Sequence, residues 1–142
     1  MNLAMFNWMR IEPVEMTLKR LVKFGYQSIN FVLDPYIVDR AEIRELLKKY
    51  GIKCWGCGAA FVGDKSLVAK DAERRAATVK YAKDCATLAK ELGAYEMTLV
   101  PATICNIKPE SSPEREWEWA VEGMKELYWY PQHYLTTIDN IN

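Results

Sequence analysis

The chain has 142 residues, 50% of them apolar and 27% charged, the size and composition of one folded globular domain, which excludes disorder, collagen-like repeats and mucin-like stalks. Lys plus Arg and Asp plus Glu balance at 19 each, so no net field draws it to nucleic acid, an anionic membrane or acidic substrates as a class. Asn2 and Asn7 interrupt the first apolar stretch, no cleavage motif follows, and nowhere do about 18 apolar residues run together, so neither a secretory leader nor a membrane span is expected and the expected location is cytoplasmic.

Residues 3–8, short, apolar and aromatic, read as a strand that polar and breaker residues end between Arg10 and Pro13. From Val14 the spacing turns helical: Leu18, Leu21 and Val22 recur among Lys19, Arg20 and Lys23, and Gly25 is the stop. Residues 28–33 (SINFVL) form a second strand, ended by Asp34-Pro35 because proline lacks a ladder donor and restricts its predecessor. Asp39 suits the N-cap of a second helix with Ile43, Leu46, Leu47 and Tyr50 on its apolar face and Gly51 as its stop. Residues 52–58 (IKCWGCG) make a third strand, whose glycines point to a bulge or to close approach by another group.

The longest helix is expected over 71–92, with Val79, Ala82, Ala86 and Ala89 on one stripe and Gly93 closing it. Residues 95–100 (YEMTLV) are the fourth strand, ended by Pro101. Residues 111–114 start a fourth helix, with Pro113 in its first turn and Trp117, Val121, Met124 and Leu127 at helical spacing. Strand and helix alternate four times with short connections, which predicts an α/β fold with a parallel sheet. Two architectures fit: an open four-stranded sheet, or half of a (β/α)₈ TIM barrel made of four successive parallel βα units. A whole barrel takes roughly 250 residues, so this length suits half of one.

The order and spacing of several segments resemble the xylose isomerase-like barrel superfamily of sugar phosphate isomerases and epimerases over about residues 3–127. The segments are FNW at the end of the first strand, KFGYQSINFVLDP, ELLKKYGIKCWG, SLVAKDAERRAATVKYAKDCATLAKELGA, the strand ending at Pro101, and EREWEWAVEGMKEL. The resemblance implies the N-terminal half of such a barrel over residues 1–130, with residues 131–142 an atypical tail. It also implies metal-assisted isomerisation or epimerisation of a sugar or polyol in full-length relatives. Those relatives hold Mn²⁺ or Mg²⁺ through ligands on strands five to eight. This chain carries no counterpart of those strands, so no cofactor and no catalytic residue is expected in it, and it is expected to be inactive alone. The tail, with Pro131 and the single histidine His133 outside any matching position, reads as the product of a truncation or frameshift, or as a deliberate half-barrel.

In a barrel, ligands meet the C-terminal ends of the strands. The candidate substrate contacts there are Phe6 and Trp8, as an apolar wall; Asp34, which also suits an ordinary turn; Cys57 at the end of the third strand; Thr103 and Asn106 in the loop after the fourth strand; and Trp117, which also suits a hydrophobic staple. Cys54 and Cys57 have a CxxC spacing. In a regular strand that spacing puts the sulfurs on opposite faces, and no zinc-like partner set accompanies them, so they read as structural thiols. Glu96, at the start of the fourth strand, is expected to face solvent. The expected partner is a second half-barrel or another copy of the chain, because a half-barrel leaves two sheet edges and part of an apolar interior uncovered. A non-catalytic interaction subunit, docking through the tryptophan-rich fourth helix, is the alternative. Nucleic acid is not expected, since the chain has no basic stripe.

Overall fold

The computed structural model describes residues 3–7, 12–103 and 108–128. Strands β1 (Ala4–Phe6), β2 (Ser28–Val32), β3 (Lys53–Ala59) and β4 (Glu96–Leu99) alternate with helices α1 (Val14–Lys23), α2 (Arg40–Tyr50), α3 (Ala72–Glu91) and α4 (Pro113–Tyr128). The strands pair in parallel in the order β1-β2-β3-β4, which is the half-barrel architecture. Among the described residues β1 and β4 therefore each keep one edge without a neighbour.

Local chemistry sets the helix ends. The Asp39 carboxylate accepts from the N–H groups of Ala41 and Glu42, and Gly51 closes α2 at φ 63°, where other residues are strained. Asp71 caps α3 by accepting from Glu73 N–H, and Ser112 Oγ accepts from Arg115 N–H at the start of α4. In α1, Leu18 and Leu21 are fully buried, worth about 2 kcal/mol each. Val22, expected beside them, is half exposed, because residues 18 and 21 already span the contact with the sheet.

One core lies between the sheet and α1, α2 and the end of α3, built on Leu18, Leu21, Ile29, Phe31, Ile43 and Leu88. A second, around Phe61, Leu67, Val79 and Ala82, packs against α4 through Leu127. The buried stripe of α4 is Trp119, Ala120, Gly123 and Leu127 rather than one led by Trp117. The Trp119 ring takes the inward position, with the Arg75 guanidinium 4.7 Å and that of Arg115 5.4 Å from its centre.

The third strand departs from regular alternation. Ile29 stands opposite Cys54 and Asn30 opposite Gly56, so Trp55 is an extra residue, a β-bulge. The bulge corrects the expectation for the cysteines. Both sulfurs lie on the helix side, 3.9 Å apart and buried.

Candidate functional site

The concave face of the sheet is the side turned from the helices. Alternation along β2 sends Ile29 and Phe31 into the helix-side core and leaves Asn30 and Val32 on the concave side. Register then sets Phe6, Asn30, Gly56 and Glu96 in one row, with Val32, Gly58 and Thr98 in the next row toward the C-terminal ends. Both β3 positions in these rows are glycine. A Cβ on Gly58 would stand 3.1 Å from Phe6 Cζ and from Val32 Cγ2, so the Phe6 ring lies over the bare backbone of β3. On Gly56 a Cβ would stand 2.8 Å from Glu96 Cγ. The Glu96 side chain fills that space and reaches Asn30, whose Nδ2 donates to Glu96 Oε1 at 3.3 Å. Glu96 is therefore half-buried on the concave face, not turned to solvent as its position at the strand start suggested. Asn30 Oδ1 is buried with no hydrogen-bond partner.

Of the candidate contacts, Phe6 lies on this face and is 40% exposed. Trp8 and Asn106 lie outside the described residues. Asp34 shapes the turn after β2, its Oδ1 accepting from Tyr36 N–H at 3.0 Å. Thr103 donates its hydroxyl to the Lys65 carbonyl at 2.6 Å, tying the loop after β4 to the loop after β3. Cys57 points into the helix-side core, away from the concave face. Trp117 stands 71% exposed near the start of α4.

Several residues at the C-terminal rim had no signal in sequence spacing. Asn7 Oδ1 accepts from Val32 N–H at 2.7 Å and so extends the β1–β2 ladder. Glu12, after β1, accepts from the Thr17 hydroxyl at 2.6 Å and pairs with Arg20. Its side chain is only 8% exposed, and it fixes the first βα loop to α1. Tyr36 donates to Asp84 at 2.5 Å and meets the Tyr81 ring edge-on at 5.7 Å. Asp84 holds the Tyr36 phenol above its ordinary range. Lys65 lies 4.5 Å over the Tyr81 ring. Tyr36, Lys65 and Tyr81 line a groove of about 710 Å³ between the loops after β2 and β3 and the start of α3.

The profile of the xylose isomerase-like TIM barrel family matches residues 18–134. The chain belongs to that family. Solved structures with the same fold include a D-psicose 3-epimerase crystallised in the presence of D-fructose, at TM-score 0.76 and 17% identity over 93% of this chain and 49% of that one. A 3-keto-D-glucoside 4-epimerase from E. coli matches at TM-score 0.72 and 13% identity, covering 92% of this chain and 51% of its own. An AP endonuclease of family 2 from Brucella melitensis matches at TM-score 0.71 and 15% identity, covering 95% and 53%. The chain thus spans about half the length of these structures. No curated protein matches it in sequence.

A hard divalent cation takes several oxygen ligands at one point. The described residues do not fit one, since no three His, Cys, Asp or Glu side chains among them converge. The buried thiols are poor ligands as they stand: the Cys54 contact and burial push Cys57 up, and burial pushes Cys85 up to about 12. No helix among the described residues is long and apolar enough to cross a membrane.

Proposed function

We propose that the chain supplies one half of the active centre of an isomerase or epimerase acting on sugars or polyols, and that it turns nothing over until a complementary half-barrel closes the sheet. The observation that supports this best is the concave face. Phe6 over Gly58 and Val32 forms a flat apolar wall suited to the carbon face of a sugar, and Thr98 in the same row offers a hydroxyl. Trp8, Asp34, Thr103 and Asn106, at or after the strand ends, complete the substrate side in this reading. Any Mn²⁺ or Mg²⁺ would be held by the other half.

The closing half must meet the edges of β1 and β4 that have no neighbour among the described residues. It must also meet an interior that offers acceptors, the oxygens of the half-buried Glu96 carboxylate. A second copy brings the same acceptors. A different half carrying a Lys, Arg or amide donor satisfies them, and that is the partner this interior favours.

The test assays ketohexose epimerisation with Mn²⁺ or Mg²⁺ by the chain alone and mixed with the C-terminal half of a family member. Light scattering at micromolar concentration follows association in the same samples. Activity only in the mixture, with a heterodimer, is expected; turnover by the isolated chain overturns the dependence on a second half. The alternative, a non-catalytic interaction subunit, draws on exposed Trp117 alone. It requires Trp117→Ala to abolish partner binding while β1 and β4 edge substitutions leave it intact.

A further inference from the structure

At the N-terminal ends of β3 and β4, remote from the strand ends where the proposed substrate would sit, the bulge has a second consequence. Tyr95 precedes Glu96 and so lies on the opposite, helix-facing side of the sheet, where Trp55 meets it. The two rings stack, their centres 5.4 Å apart and 9° from parallel, and Tyr95 N–H donates to the Trp55 carbonyl at 2.7 Å. Trp55 is 47% and Tyr95 69% exposed. They form one wall of a groove of about 700 Å³ below the C-terminal ends of α2 and α3, whose apolar floor is Leu47, Ile52 and Leu92.

The groove is also charged. Arg40, Arg44 and Lys48 follow one another at i, i+4, i+8 along α2. Arg40 takes the groove's only carboxylate among the described residues, its Nη1 standing 3.0 Å from both oxygens of Glu91. Arg44, Lys48 and Lys53, all exposed and lining the groove, have no carboxylate partner among the described residues. Two helix C-termini face it with about half a negative charge each, which three full positive charges outweigh. A stacked aromatic wall beside unpaired cations matches a flat aromatic ring that carries an anionic group.

We propose that this groove binds a nucleoside monophosphate, its base against the Trp55–Tyr95 wall and its phosphate toward Arg44 and Lys48. The site is built from β3, β4, α2 and α3 alone, so it does not depend on a second half-barrel. The experiment is calorimetric titration of the chain at low salt with AMP, and separately with adenosine and with ribose 5-phosphate. AMP should bind with a Kd below about 1 mM, and each fragment about ten-fold or more weaker, as loss of the stack or of the charge-assisted contacts requires. Trp55→Leu should weaken AMP about ten-fold, and Arg44→Gln/Lys48→Gln, on an exposed helix face, should weaken AMP but not adenosine. No AMP binding up to about 5 mM, AMP and ribose 5-phosphate binding equally, or the double variant binding AMP like the parent would overturn the proposal. Thermal melts of each variant show whether Trp55→Leu remains folded, and the double variant decides the matter if it does not.

Discussion

Gly56→Ala tests the packing of the concave face. The new Cβ would stand 2.8 Å from Glu96 Cγ, 3.1 Å from Asn30 Oδ1 and 3.2 Å from Glu96 Oε1. Since Cγ lies near the root of the side chain, the whole Glu96 side chain must swing away, which costs about 1–2 kcal/mol in overpacking. The swing also breaks the Asn30–Glu96 hydrogen bond and leaves the Asn30 amide, already without a partner at Oδ1, unpaired at both ends, for about 1 kcal/mol more. The sum is about 2–3 kcal/mol, a fall in Tm of about 8 °C for a domain of this size. In a Glu96→Ala background the hydrogen bond is already lost and the clash is gone, so Gly56→Ala should cost under about 1 kcal/mol there. Urea unfolding of the four proteins, followed by far-UV circular dichroism, gives the coupling energy. Additivity within about 0.5 kcal/mol would refute the claim that Glu96 occupies the space over Gly56.

Glu15, on α1, is lowered from 4.5 to about 2, first by the Lys49 hydrogen bond, then by that of Tyr50, then by the charge of Lys19. Its folded value lies below its unfolded one, so what it contributes to the α1–α2 contact is complete above about pH 4.5 and is lost as the pH falls toward 2. Carboxyl NMR should show that midpoint, and Lys49→Met should move it upward. Cys54, Cys57 and Cys85 are buried, and Cys57 and Cys85 are held protonated; none of the three should react with an aromatic disulfide reagent at neutral pH until denaturant is added, and modification of any of them in the folded chain would contradict this packing. Trp119→Ala removes a ring that is 7% exposed and should cost about 3 kcal/mol. Trp117→Ala, at 71% exposure, should stay within about 0.5 kcal/mol of the parent, and a reversal of that order in urea melts would mean that α4 packs through another face.

The alternation of strands and helices was legible because its signals are local. Asp39 and Asp71 cap within three residues of themselves, Gly51 closes a turn by its own φ, and the Leu18–Leu21 spacing needs only the helical period. Features that rest on a neighbouring strand or helix were not legible. The position of the Trp55 bulge is decided by what stands across from it on β2, and the Glu96–Asn30 contact joins residues 66 apart. On α4 the apolar spacing pointed to Trp117, whereas the structure buries Trp119, with Arg75 of α3 over its ring. The glycines of β3 were a partial exception, since a bulge or a close approach was expected there and the structure holds both.

Deleting Trp55 leaves the pairing of β3 with β2 undisturbed. Cys54 pairs with Ile29 and Gly56 with Asn30, adjacent residues of β2, so deleting Trp55 leaves a ladder in regular register. Cys54 and Cys57 then fall two apart and remain on the helix side, while Gly56 and Gly58 remain on the concave side beneath Glu96 and Phe6. The deletion should therefore fold, with a loss of about 1–2 kcal/mol from the Tyr95 stack and the Tyr95 N–H bond to the Trp55 carbonyl. Deleting Cys57 instead moves every later residue of β3 to the other face and should unfold the chain. Comparative melts of the two deletions decide this, and a ΔTrp55 chain that fails to fold would show that the bulge is required by the sheet. If it folds, the sheet does not need Trp55, and the ring's place at the edge of a basic groove becomes the feature that calls for a ligand.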